Sequence, residues 1–177
     1  VKGGIEECDA FCRNLARVSQ HLVLSIDYRL APEHRFPAAL DDAIAAAVWV
    51  RSHAAELGGA PGAIVICGES AGGNLAAVTC LRLRSSPHVM IRHQVLLQPV
   101  IDFTLSFPSI AMPATDCLVP REDLAWYYRT YCGDALAPSD PRVSPNLRQG
   151  SIWPAASADH RRRIRYIARR SGSVRAT

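Results

Sequence analysis

The chain has 177 residues, of which 49% are apolar and 20% charged, a globular composition with room for one domain and too little for two. No run approaches the roughly 20 apolar residues that span a bilayer, so no stable membrane anchor is expected. The net charge of +4 is uneven: residues 1–147 carry 12 Lys and Arg against 15 Asp and Glu, and residues 148–177 carry 8 against 1. The basic balance therefore belongs to the tail, and nucleic acid is not an expected partner of the rest.

The first residue is Val1 rather than methionine, and the true N-terminus is expected to lie upstream. Residues 5–19 place apolar side chains at 8, 11, 12, 15 and 16, the spacing of an amphipathic helix. Residues 21–27 (HLVLSID) have the length and composition of a buried strand. The next stretch, YRLAPEHRFP, is punctuated by Pro32 and Pro37 and reads as loop. Pro37 suits the first turn of a following helix, with Asp41 and Asp42 near its positive end and Leu40, Ile44, Ala47 and Val48 on its buried stripe. A Gly-Gly-Ala-Pro-Gly break leads to a second strand at 63–67 (AIVIC), a third helix at 71–84 and a third strand at 94–100 (QVLLQPV). Helix and strand alternate, which predicts a mostly parallel sheet with helices on both faces. From 102 to 120 the pattern is irregular. A last helix carries Glu122 and Asp123 early and Leu124, Tyr127, Tyr128 and Tyr131 on one stripe.

Chemistry concentrates in Gly68-Glu69-Ser70-Ala71-Gly72-Gly73-Asn74, set between the second strand and the third helix. A serine on such a sharp turn has a strained backbone, and its neighbours must lack bulk. Gly68 and Gly72 are expected to let the turn close, and Ala71 and Gly73 to keep helix and strand close. Ser70 is then a candidate nucleophile, and the Ala71 N–H, at a helix N-terminus, a candidate oxyanion donor. Such a serine needs a base and an orienting acid. The candidates downstream are Asp102, Asp116, Asp123, Asp134 and Asp140, with His88, His93 and His160. His88 and His93 are expected at the sheet end opposite the serine. Asp159 and His160 are adjacent and lie in a segment with no strand to hold them. The acid and the base are therefore expected to be absent from this chain.

Three motifs in order, DYRLAPEHRFPAALDD, GESAGGNLAA and SDPRVSPNL, resemble the hormone-sensitive-lipase group of α/β-hydrolases. The resemblance implies an α/β-hydrolase fold, incomplete at both ends, and hydrolysis of small-molecule carboxylic esters through an acyl-serine intermediate, with no cofactor. It matches Ser70 to the nucleophile, the Ala71 N–H to one oxyanion donor, and Asp27, Tyr28, Arg29 and Glu33 to a largely structural signature, in which Arg29 and Glu33 form a solvated pair or, as the alternative, contact the substrate. Residues 102–131 match a cap-like insertion whose aromatics line an acyl site or pack as helix core. The family's glycine-rich oxyanion loop would end just before Val1, so the chain alone is expected to be nearly inactive. A deacetylase or acyltransferase using the same serine, or a non-catalytic module binding an acyl ligand or partner protein, are the alternatives.

The resemblance covers residues 1–147. Residues 148–177 read as a non-family basic tail: a shifted reading frame, a solvated end, or a patch for nucleic acid or membrane surface. None of the six cysteines forms a C-x-x-C pair, and no histidines cluster beside them, so no metal is expected. Buried free thiols are expected instead, which fits a reducing, cytoplasmic setting.

Overall fold

The computed structural model describes residues 1–60, 62, 64–107, 110 and 119–147. In chain order the elements are α1 (Ile5–Ser19), α2 (Ala38–His53), β1 (Ile64–Glu69), α3 (Ala71–Leu83), β2 (Ile91–Leu97) and α4 (Arg121–Cys132), with a 3₁₀ turn at Pro145–Leu147. Among the described residues no helix is long and apolar enough to cross a membrane. Within the expected cap-like insertion, 108–109 and 111–118 lie outside the described residues, Cys117 among them, as does the whole tail from 148.

Strands β1 and β2 run parallel, with Val65 opposite His93 and Gly68 opposite Leu96. Helices α2 and α3 pack against this pair. β2 begins and ends three residues earlier than its apolar run predicts. Gln98 has a φ of +44°, and Pro99 has no N–H to give a ladder, so the chain leaves the sheet there. The expected strand at 21–27 forms no ladder: residues 20–30 are neither helix, turn nor bend, and no described strand lies in register with them. Strand composition supplies a suitable surface, but a strand also needs a neighbour to receive its N–H and C=O groups.

Three small clusters form the core. Ala39 and Leu40 of α2 meet Leu75 and Val78 of α3, with Tyr28 and Phe36 packed against them. Ala47, Ile64, Leu83 and Val89 close the far end of the α2–α3 layer. Tyr128, Cys132 and Val143 form the third, with Phe36 and Phe103 alongside. From Gly73 to Thr79 every residue of α3 is buried, as suits a helix enclosed on all sides. Val48 is exposed, so the α2 stripe is narrower than its sequence implies. Helix α1 buries none of its residues, leaving Phe11 of the predicted apolar face 50% exposed and Val18 67% exposed. Among the described residues the expectation of buried thiols holds for Cys132 alone: Cys8 and Cys67 are exposed, and Cys12 and Cys80 are half-buried. Loss of hydration pushes the Cys80 thiol up to about 11 and the Cys132 thiol up to about 12, where Asp140 adds to it.

The loops are tied down by charge. Arg29 grips Asp42 through both carboxylate oxygens, at 2.8 and 2.9 Å, and its own N–H donates to the same group. Asp42, and not the expected Glu33, is thus the partner of Arg29. Arg142 holds Asp140 likewise and lies 5.6 Å from the centre of the Phe36 ring. The side-chain hydrogen bond from arginine is the main cause that holds each carboxyl below its usual range. A depressed pKa contributes stability above the unfolded value of ~3.9, and that contribution is lost as the pH falls through the lower folded value. Urea midpoints of the native chain should therefore drop more between about pH 6 and pH 3 than those of Asp42→Asn or Asp140→Asn. Equal drops in all three proteins would show that neither pair contributes to acid sensitivity.

Candidate active site

Ser70 stands at the junction of β1 and α3 with φ +51° and ψ −112°, a region that non-glycine residues occupy only when their surroundings enforce it. The enforcement is visible in its backbone bonds. Its N–H donates to Leu97 O at 2.9 Å, and its carbonyl accepts from Asn74 N–H at 3.1 Å and Val100 N–H at 3.3 Å. The side chain makes no capping hydrogen bond to its own helix, and Ser70 and Ala71 are both exposed. The bond from Asn74 N–H is the first of the helix, so the amides of Ala71, Gly72 and Gly73 precede the helical ladder and are placed to receive negative charge. Glu69 ends β1 with an exposed side chain and touches none of this.

The glycines divide the work differently from the sequence expectation. A methyl group at Gly68 would lie 2.1 Å from Gly72 O and 2.7 Å from Gly73 N, so no side chain fits there. At Gly73 it would come within 2.9 Å of Pro99 Cβ and 3.1 Å of Gly68 O. At Gly72 it would meet nothing within 4 Å. Gly72 therefore needs no bare α-carbon: its carbonyl, not its missing side chain, fills the space before Gly68.

The side chain of Asn74, 4% exposed, locks the turn to the rest of the chain. Its Nδ2 donates to Val100 O at 2.6 Å and to Val143 O at 2.7 Å. Ser144 continues the tie, accepting from Phe103 N–H at 2.8 Å and donating to Pro138 O at 2.6 Å. Val143 and Ser144 are both 0% exposed. Sequence reasoning assigned these residues no role. The available signal was a lone amide in an otherwise small and apolar helix.

The downstream acid and base candidates are not gathered at Ser70. Asp102 is buried, and its carboxylate accepts from Thr104 N–H, the Thr104 hydroxyl and the Ser106 hydroxyl, holding its own loop. Asp140 belongs to Arg142, Asp123 to the first turn of α4, and Asp134 is exposed. His88 lies in the bend before β2, and His93 lies within β2 opposite Val65. Five residues of strand, about 16 Å, separate Val65 from Ser70. Asp116, Asp159 and His160 lie outside the described residues. Among the described residues no group of three His, Cys, Asp or Glu side chains is arranged to hold a metal ion.

Comparison with known proteins agrees with this architecture. The family model described as alpha/beta hydrolase fold matches residues 1–159. The carboxylic ester hydrolase LipN of Mycobacterium tuberculosis is 42% identical over 155 residues, covering 83% of this chain and 41% of its own length. The ethyl acetate hydrolase of Pseudomonas putida is 35% identical, covering 86% of this chain and 48% of its own. Among solved structures, EstE1, a thermostable carboxylesterase from a metagenomic library, superposes with a TM-score of 0.79 at 41% identity, covering 84% of this chain and 51% of that one. The chain thus spans about half the length of the proteins it matches.

Two outcomes separate the roles described above. Gly68→Ala should destabilise the chain severely, whereas Gly72→Ala, with open space and negative φ, should leave it as stable or raise it by up to ~1 kcal/mol. Asn74→Ala strips the buried Val143 carbonyl and the half-buried Val100 carbonyl of their donor and should cost about 3 kcal/mol. Urea unfolding followed by tryptophan fluorescence checks all three, and a harmful Gly72→Ala would refute the division.

Proposed function

This chain belongs to the α/β-hydrolase fold family, and we propose that the whole protein hydrolyses small carboxylic esters with Ser70 as nucleophile. The observation that carries this reading is the strained, exposed Ser70 clamped between the end of β1 and the start of α3. The relatives named as ester hydrolases and carboxylesterases support it.

On this reading the Ser70 hydroxyl attacks the ester carbonyl as its proton passes to a base, and the C–O bond to the alcohol then breaks with return of a proton to the leaving oxygen. Water then attacks the acyl carbon as its proton passes to the base, and the C–O bond to Ser70 breaks with return of that proton to Oγ, releasing the carboxylic acid. Charge on the carbonyl oxygen develops beside the amide of Ala71, which needs no rearrangement to donate. Asn74 and Gly68 act by holding the turn. His88 and His93 stand at the wrong end of the sheet to serve as base, and Asp102 is committed to its loop, so no described residue downstream of Ser70 receives the acid or base role. On the same reading α4, with Trp126 exposed, contributes to a cap over the acyl site.

A fluorophosphonate probe, read by peptide mass, and p-nitrophenyl acetate hydrolysis test the assignment on the whole protein. Label should sit on Ser70, and Ser70→Ala should abolish it and cut kcat/KM by at least about 10³-fold. A Ser70→Ala protein that keeps its label or its turnover would sink the reading.

A further inference from the structure

Lys2 makes a contact that the reaction described above does not use. Its ammonium stands over the Tyr127 ring, 5.7 Å from the centre, within the range at which a cation is attracted to an aromatic face. Hydrogen bonding to Tyr127 is the main cause that raises this ammonium above the usual lysine range, and the charges of Asp123 and Glu7 add to it. Lys2 therefore sits between two helices, with Glu7 in the first turn of α1 and Asp123 and Tyr127 on α4.

The backbone directs Lys2 toward α4. Gly3 has a φ of +97°, a conformation that residues with side chains rarely adopt, and a methyl group there would lie 3.2 Å from Glu7 Oε2. With this left-handed residue before the helix, Lys2 is not carried along the α1 axis, and its side chain reaches α4 instead.

Both ends of the contact lead toward Ser70 and its cap. Burial is the main cause that pushes up the Cys8 thiol, and Cys12, Glu7 and Glu69 add to it. Glu69 precedes Ser70, so the start of α1 stands beside the serine turn. On α4, Tyr128 and Cys132 are buried with Val143. Tyr127 precedes them, and its ring meets the exposed Trp126 edge-on, with centres 5.2 Å apart and planes at 66°. An edge contact of this kind is a preferred arrangement that sets one ring against the other. Lys2 thus holds Tyr127, and Tyr127 holds Trp126.

We propose that Lys2 is a positioning residue for acyl selection: through Tyr127 it fixes Trp126 as a wall of the acyl site and so favours short acyl groups on Ser70. This role presupposes the ester-hydrolase reading and a cap that includes α4. Trp126 offers a large apolar surface of the kind that lines a ligand pocket. Held in one place, it limits the chain that the site admits. Released, it moves aside and longer chains enter.

Hydrolysis of p-nitrophenyl acetate and p-nitrophenyl octanoate by the whole protein tests the role. Lys2→Met removes the charge and should raise kcat/KM for the octanoate relative to the acetate about two- to fivefold, the size of one exposed cation–ring contact. The change should lie in KM, since binding is altered and the bond-making step is not. Lys2→Arg restores a cation that aromatic rings attract and should keep the native preference. Tyr127→Leu should shift the preference as Lys2→Met does, and the double substitution should shift it no further, because both remove one contact. If Tyr127→Leu fails to fold, the two variants at the exposed Lys2 decide.

Fluorophosphonate labelling separates this role from the reading it rests on. A labelled Ser70 with an unchanged preference in Lys2→Met overturns the role of Lys2 alone. Equal losses on both esters, or effects of Lys2→Met and Tyr127→Leu that add, overturn it as well. A native protein without label at Ser70 sinks the ester-hydrolase reading, and the role of Lys2 with it.

Discussion

A left-handed backbone at a serine costs of order 1–3 kcal/mol wherever it occurs, and most of the described chain is arranged so that Ser70 cannot relax. Leu97 O takes its N–H, and two amides share its carbonyl. Relaxing the turn would break these bonds and drive Gly72 O away from a Gly68 that leaves no spare room. The parallel register of β1 and β2 brings Leu97 opposite Glu69, so the sheet itself supplies the acceptor. The early exit of β2 at Gln98 then places Pro99 against Gly73 and Val100 within reach of Ser70. A strand that ran its full apolar length would carry those residues past the turn.

The three motifs that give the sequence its resemblance meet around this turn from different directions. The first ends in a loop fixed by Arg29 on Asp42 and by Phe36 N–H donating to Tyr131 O at 2.8 Å. The third is fastened to the first by Arg142 above the Phe36 ring. Asn74 of the second reaches the third at Val143. Tyr128 adds a hydrogen bond to Leu136 O under the same segment. Together they form a closed circuit in which each loop is held by the others.

Local chemistry was legible in the sequence wherever neighbours in sequence decide it. Glycines around Ser70, set between an apolar strand and an Ala-rich helix, predict the turn because its sterics involve only adjacent residues. The helices follow from periodicity for the same reason. Pairings across the fold were not legible. Glu33 stands four residues from Arg29 and Asp42 thirteen, yet geometry at the start of α2 selects the distant one. Gly72 looks equivalent to Gly68 in the motif, and only the placed carbonyl separates them. Residues 21–27 carry the composition of a strand, but composition cannot supply the second strand that a ladder requires.

The span from Asn74 to Val143 is 69 residues, and this has a consequence for how the molecule is made. At a synthesis rate of about 5–20 residues per second, roughly 3–14 s pass between translation of the serine turn and translation of the carbonyl that pins it. During that interval β1 and α3 can exist, but the junction between them is held by only part of its bonds. The nascent chain therefore passes through a stage in which the serine turn is formed but its final lock, from Asn74 to Val143, is still to come.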